Sequence, residues 1–365
     1  MGIGRRELLA GAGVGLAAGA AMAQAPGTGP RPPAPGIGGR MAPPINSGVQ
    51  PSTVDLAYKP RRINKVVELW EDGQPIYYTG SGTGPGIDPY AQGVKMARTW
   101  ADAINYECEH GALDYTAIRE FMRGLVDGGP TRSGHRTPCV FVSTPVIGLD
   151  EAYMRANSWV LGQLLDCGVH GVHICHARDA KAIQVAAQMA VRYPFAYPDT
   201  PKLPMQGIRG SSAGWAAQVW GVSLNKYVHI ADTFPLNPRG EMIFGVKIED
   251  TYADAQVDRT LAVPGISMAE WGPGDHSYWL NGLGPLPEDG APPADIAALP
   301  NMVAVRQKVL DLCKKNKLFF LNAGRTDPNV SDYIIKQLDD GAMVIESNEA
   351  TAIMGREYRK RKMPV

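Results

Sequence analysis

Gly245-Val246-Lys247-Ile248-Glu249 and, a helix length later, Ile266-Ser267-Met268-Ala269-Glu270-Trp271-Gly272-Pro273-Gly274-Asp275 each carry an apolar run into a carboxylate. Short apolar runs separated by a helix-length gap read as successive parallel strands. The carboxylates of Glu249 and Asp275 then stand at the strands' C-terminal ends, the rim where an α/β barrel collects its catalytic residues. Two oxygen ligands with open positions beside them suit a hard divalent cation, Mg2+ or Mn2+ first, with Co2+ and Zn2+ also admitted. A third run, Ala103-Ile104-Asn105-Tyr106-Glu107-Cys108-Glu109-His110-Gly111, ends in two carboxylates and a histidine. A cation beside a histidine is a centre for proton-transfer chemistry.

The same alternation runs outward through the chain. Apolar runs at 75–78, 103–106, 138–142, 171–174, 243–248, 266–271, 318–321 and 343–345 are separated by one-sided helical patterns such as 114–126, 150–165, 179–191, 302–315 and 330–338. Strands each followed by a helix predict an α/β fold of the (β/α)8 TIM-barrel type, in one domain over 61–365. An open doubly wound sheet is the second choice, but no GxGxxG opens its first helix. Two long segments, 193–241 and the proline-rich 282–300, are read as βα loops projecting at the active rim.

The chain's 36 basic and 36 acidic side chains balance, so no net field draws it to nucleic acid or an anionic membrane, and a small-molecule substrate is expected. Arg5-Arg6 ahead of a weakly apolar stretch ending in Ala21-Met22-Ala23 looks like a twin-arginine export signal over 1–23. That stretch is too short and glycine-rich to span a bilayer, and 24–60 read as a Pro/Gly-rich linker. Export places the mature protein in the periplasm with no membrane span. The five cysteines are an odd number without metal-binding spacing, and buried free thiols are the default.

Six pieces in order, Glu109-His110-Gly111, Leu164-Leu165-Asp166-Cys167-Gly168, Arg192-Tyr193-Pro194, Gly207-Ile208-Arg209-Gly210, Lys247-Ile248-Glu249 and Gly272-Pro273-Gly274-Asp275, carry a resemblance. From about residue 64 to 347 the chain resembles the HpcH/HpaI aldolase and citrate lyase family, class II metal-dependent aldolases acting on pyruvate-type substrates. The resemblance implies that Glu249 and Asp275 hold the metal and that His110 is the base, helped by Asp166. It also implies a homo-oligomer, a hexamer formed by exchange of the C-terminal helix, here the tail after Ser347. The chain departs from the family where an arginine should end the third strand, reading Pro138-Cys139-Val140-Phe141-Val142-Ser143-Thr144 instead. Lys247 replaces a glutamine, and Glu107 stands where the family has an aspartate.

The remaining site candidates are weighed singly. His176, in Val172-His173-Ile174-Cys175-His176, is a pocket residue that serves as a third ligand, a substrate hydrogen bond or a plain satisfied histidine. Arg209 with Gly210 resembles the family loop by the active site, where the guanidinium would bind a carboxylate in bidentate fashion, against a surface ion pair as the bland reading. Lys247 is a substrate-carboxylate binder or a charge partner of Glu107 or Glu109, and a Schiff base is disfavoured by the retained metal pair. Gly274 goes with the metal-binding turn, and His276 with its surroundings. Trp215, Trp220, Tyr278 and Trp279 pack by default. The expected activity is an aldehyde-lyase reaction, metal-dependent retro-aldol cleavage of a hydroxy or 2-oxo-hydroxy acid of bulky or aromatic kind. His110, oriented by Glu107 or Asp166, moves the proton. Other metal-enolate chemistry, thioester or diketone hydrolysis, and a non-catalytic periplasmic binding protein are the alternatives.

Overall fold

Side chains along each strand alternate between two apolar cores, and that parity decides which residues reach the centre of the molecule. The computed structural model describes residues 58–194, 206–211, 213–282, 296–323 and 331–365. The signal, most of the linker, and much of both long loops lie outside the described residues. Strands β1 (Ile76–Gly82), β2 (Ala103–Glu107), β3 (Cys139–Ile147), β4 (Gly171–Cys175), β5 (Ile243–Lys247), β6 (Met268–Glu270), β7 (Phe319–Asn322) and β8 (Ala342–Glu346) pair in parallel in chain order, and β8 closes on β1. This is the (β/α)8 barrel that the apolar runs predict, each run lying within or overlapping a strand.

Helices α1 (Lys65–Glu71), α2 (Pro89–Met96), α3 (Tyr115–Gly128), α4 (Glu151–Asp166), α5 (Ala180–Val185), α6 (Gly214–Trp220), α7 (Leu224–Ile230), α8 (Thr251–Thr260), α9 (Pro273–Asn281), α10 (Pro300–Asn316), α11 (Ser331–Asp340) and α12 (Glu349–Tyr358) complete the elements used below. Aspartates start several of those that follow a strand: the carboxylates of Asp114, Asp150, Asp179 and Asp250 each accept from a backbone N–H of the first turn. The helix expected over 179–191 is two pieces, since α5 widens into a π-helical turn over Ala186–Val191.

Ile76, Tyr78, Ala103, Cys139, Phe141, Ile243, Met268, Leu321 and Val344 fill the barrel, and Val66, Val67, Leu69 and Trp70 of α1 join that core and plug the N-terminal end. Their strand neighbours Tyr77, Ile104, Val140, Val172, Phe244 and Phe320 face the helices in a second, larger core. At the plugged end Asp102 is fully buried and meets Lys65 Nζ at 3.2 Å, Arg361 Nη1 at 2.9 Å and Arg356 Nη2 at 3.4 Å, while accepting from Tyr77 N–H at 3.1 Å. Through Arg356 and Arg361, α12 and the tail lie on their own barrel.

One expectation about the loops is overturned. Segment 193–241 follows α5 and its π-turn and precedes β5, so it is an αβ connection at the N-terminal end, not a βα loop at the rim. It carries α6 and α7 and packs rather than projects: Trp220 is buried with its indole N–H on Gly168 O at 2.9 Å, and the Trp215 N–H reaches Cys167 O at 3.1 Å. All five cysteines are free and buried. No helix among the described residues is long and apolar enough to cross a membrane.

Candidate metal centre

At the C-terminal end of the barrel, Lys247 and Glu249 share the inward parity of Ile243 on β5. Glu249 is buried, and the cap of α8 is its neighbour Asp250. A plain helix-cap role for Glu249 is thereby excluded. Asp275 is in the first turn of α9 rather than at a strand end, where backbone amides favour a carboxylate. Gly272 brings that turn in: its φ is +50°, and a Cβ there would sit 2.2 Å from Glu249 Cβ and 2.7 Å from Glu249 Oε2. Around Gly274, the glycine the sequence singled out, nothing stands within 4 Å of such a Cβ.

His176 follows β4 in a left-handed conformation, φ +45°. Its backbone N–H donates to Glu249 Oε1 at 2.8 Å, and its Nδ1 lies 2.7 Å from Asp250 Oδ2, which also accepts from Arg178 Nε at 2.8 Å. The ring's other nitrogen, Nε2, faces Glu109 Oε1 at 3.7 Å. One ligand atom from each of Glu109, His176, Glu249 and Asp275 lies within 4.8 Å of all the others. Bonds of about 2.0–2.2 Å to a small dication put opposite ligands roughly 4.4 Å apart, so the set is close to metal-sized. Glu109 Oε1 is buried without a hydrogen-bond partner, the kind of orphan a cation would satisfy. The residues present fit a divalent ion.

The electrostatics agree. Burial pushes Glu249 up to about 7, with Lys247 opposing, and Glu270, on the inner face of β6, up to about 8. These carboxylates are held short of a counter-charge, a cost that a bound dication relieves. Lys247 Nζ sits 2.6 Å from Glu109 Oε2 and 3.7 Å from Glu249 Oε2. Burial opposes its ammonium, but Cys175, Glu270, Glu249 and Glu109 outweigh it and hold the amine well above its ordinary range. An amine held toward its ammonium form is a poor Schiff-base nucleophile. Of the charge partners the sequence offered Lys247, Glu109 is the one it meets.

His110 stands at the mouth with its side chain 63% exposed, Nε2 3.2 Å from Asp275 Oδ2 and 3.6 Å from Glu109 Oε2. Glu107 does not orient that ring. Its Oε1 instead accepts the backbone N–H groups of Glu109 at 2.6 Å and His110 at 3.0 Å, fixing the turn that presents both side chains. His276 is buried beneath, Nδ1 2.8 Å from Trp271 O and Nε2 2.8 Å from Asp254 Oδ2.

Three expected site residues are elsewhere. Asp166 ends α4, which runs away from the rim, so it lies at the opposite end of the barrel from His110 and cannot assist it within the chain. It accepts from Arg209 Nη2 at 2.9 Å, and Arg209 is buried between the rings of Tyr193 and Tyr227, with Nη2 also 2.8 Å from the Tyr227 hydroxyl. Arg209 and the exposed Gly210 belong to the αβ connection and reach no ligand of the cluster. At the third strand, Ser143 and Thr144 replace the family arginine with buried hydroxyls, Ser143 Oγ 3.0 Å from Asn105 Oδ1 and Thr144 Oγ1 2.8 Å from Val146 O. Sequence reasoning did not place Glu109 in this cluster, although it ends the same run as Glu107.

No protein-family model matches the sequence, and no curated protein matches it. Solved structures do. A HpcH/HpaI aldolase/citrate lyase family protein of Burkholderia cenocepacia J2315 aligns at 18% identity and TM-score 0.54, covering 81% of this chain and 97% of that one. A HpcH/HpaI aldolase of Desulfitobacterium hafniense DCB-2 aligns at 18% and 0.53, covering 81% and 96%. The citrate synthase SbnG aligns at 18% and 0.53, covering 82% and 94%. The chain therefore has the barrel fold of the HpcH/HpaI aldolase and citrate lyase structures, at a sequence distance that marks it as divergent from them.

Proposed function

We propose that the chain is a divalent-metal-dependent carbon–carbon lyase that cleaves a hydroxy or 2-oxo-hydroxy acid in the retro-aldol direction. The observation that carries this reading is the convergence of Glu109, His176, Glu249 and Asp275 within 4.8 Å of one another, with His110 Nε2 3.2 Å from Asp275 Oδ2. When bound, a dication held by Glu249 and Asp275 supplies electrophilic stabilisation of the enolate oxygen that forms as the carbon–carbon bond breaks.

The chain's own residues do the rest. His110, half out of the protein, takes the proton from the substrate hydroxyl and returns it to the enolate carbon. Glu107 holds the backbone of that turn, and Lys247 keeps Glu109 fixed while adding positive charge to the barrel's mouth. Exposed aromatic rings at the rim, Tyr252, Tyr278 and Trp279, offer contact area to a bulky or aromatic substituent. Export by Arg5-Arg6 to the periplasm, read from the N-terminal sequence, and assembly into a homo-oligomer, which the resemblance implies, belong to the same proposal.

The test is metal analysis of the purified protein beside Glu249→Ala and Asp275→Ala, with an assay of aldehyde and 2-oxo acid release across a panel of hydroxy acids. Near-stoichiometric metal that falls at least tenfold in both variants, with metal-dependent release, is the expected result. A wild-type protein that holds no more divalent metal than the variants removes the proposal.

A further inference from the structure

The resemblance implies a metal held by two carboxylates, but the barrel's mouth offers a nitrogen as well. Four observations on His176 and Glu109 converge. The His176 backbone is in a left-handed conformation that a non-glycine residue rarely adopts, and such strain persists where the surroundings enforce it. Its N–H is tied to Glu249 Oε1, so the backbone that carries the imidazole is anchored to that carboxylate. Asp250, itself anchored as the cap of α8 and by Arg178, occupies Nδ1, and a carboxylate there fixes the tautomer whose lone pair is on Nε2. Nε2 has no hydrogen bond and looks toward Glu109 Oε1, whose side chain is only 6% exposed and whose oxygen is also without a partner.

A ring nitrogen and a buried oxygen without a partner thus face the same point as Glu249 and Asp275. We propose that His176 Nε2 and Glu109 Oε1 are ligands, so that the site is a one-nitrogen, three-oxygen centre for a first-row transition dication in preference to Mg2+. This rests on the metal reading above and adds the metal's identity. Imidazole suits Mn2+, Fe2+, Co2+ and Zn2+, whereas Mg2+ takes oxygen donors and keeps several waters. In a six-coordinate ion four protein donors leave two positions, the number that two adjacent oxygens of a hydroxy acid need. The carboxylate that orients His176 and the arginine beside it then become positioning residues for the metal.

The probe is Mn2+ added to the metal-stripped full chain, read by electron spin-echo envelope modulation on protein grown with 14N-histidine or 15N-histidine. Nitrogen modulation is expected in the wild type, shifted by 15N, retained in His110→Gln and lost in His176→Gln. The Kd for Mn2+ should rise at least tenfold in His176→Gln and in Glu109→Gln, with Mg2+ affinity changing less than threefold in His176→Gln. The wild-type isotope comparison stands even if a variant fails to fold. Mn2+ bound without nitrogen modulation, or modulation lost in His110→Gln but kept in His176→Gln, overturns the ligand assignment and leaves the metal-dependent lyase intact. Absence of stoichiometric Mn2+ together with indifference to Glu249→Ala defeats both.

Discussion

Gly272 and Gly274 differ by two positions and by everything that matters to the site. A Cβ at Gly272 would overlap Glu249, and φ +50° strains any other residue, whereas Gly274 has open space and helical surroundings. Gly272→Ala is expected to cost about 1–3 kcal/mol of stability and to weaken Mn2+ binding roughly ten- to a hundredfold. Gly274→Ala should leave both nearly unchanged, within about 0.5 kcal/mol. Calorimetric titration and thermal melts of the pair decide it; equal effects would show that the turn does not press on Glu249. The sequence held the clue, because proline favours the first helical position and so assigns Pro273 to the start of α9 and Gly272 to its cap. Glu249 and Asp275 were legible from apolar runs ending in carboxylates. Glu109 was hidden because a turn held by the Glu107 side chain, not strand geometry, aims it inward.

Elements were more legible than the ends they connect. All eight strands follow from apolar runs, since a buried parallel strand needs a continuous apolar stretch and its helix needs a periodic one. The error over 193–241 came from treating a segment after a helix as one after a strand, and it put Arg209 and Gly210 at the rim, whereas Asp166 had come only from the resemblance. The guanidinium of Arg209 is buried among Asp166, Tyr193 and Tyr227 and holds α4, the connection and α7 together. Removing one partner of a buried pair costs about 3–5 kcal/mol, so Arg209→Ala is expected to lose that much in chemical denaturation while keeping the wild-type metal content. Loss of metal without loss of stability would instead return Arg209 to the site.

The molecule as a whole also carries a pH limit set far from the candidate metal centre. His170, just before β4, is fully enclosed against Trp220, and its Nδ1 accepts from Val140 N–H at 3.1 Å. Burial, with His135 adding to it, lowers its pKa to about 3. Between about 6.5 and about 3 the unfolded chain binds the proton that the folded chain refuses, so stability falls as pH drops through that window. At pH 4 the loss from this residue is on the order of a few kcal/mol. Thermal melts from pH 8 to pH 4 should show the decline, and His170→Asn, which does not titrate, should make it shallower, leaving the share of the buried His173, which burial also lowers to about 3. An unchanged slope would assign the acid sensitivity to other groups.

At the plugged end, the Asp102 carboxylate gathers a lysine from before the first strand and two arginines from beyond the last, the Arg361 contact spanning 259 positions. Closing a loop of that length comes before any reward, so the contact belongs late on the folding route. Until α12 and the tail arrive, Asp102 has Lys65 alone of its three cationic partners. The clasp thus ties the residue before the first strand to those after the last at one buried carboxylate, and a cut ahead of Arg356 would undo it without touching a strand.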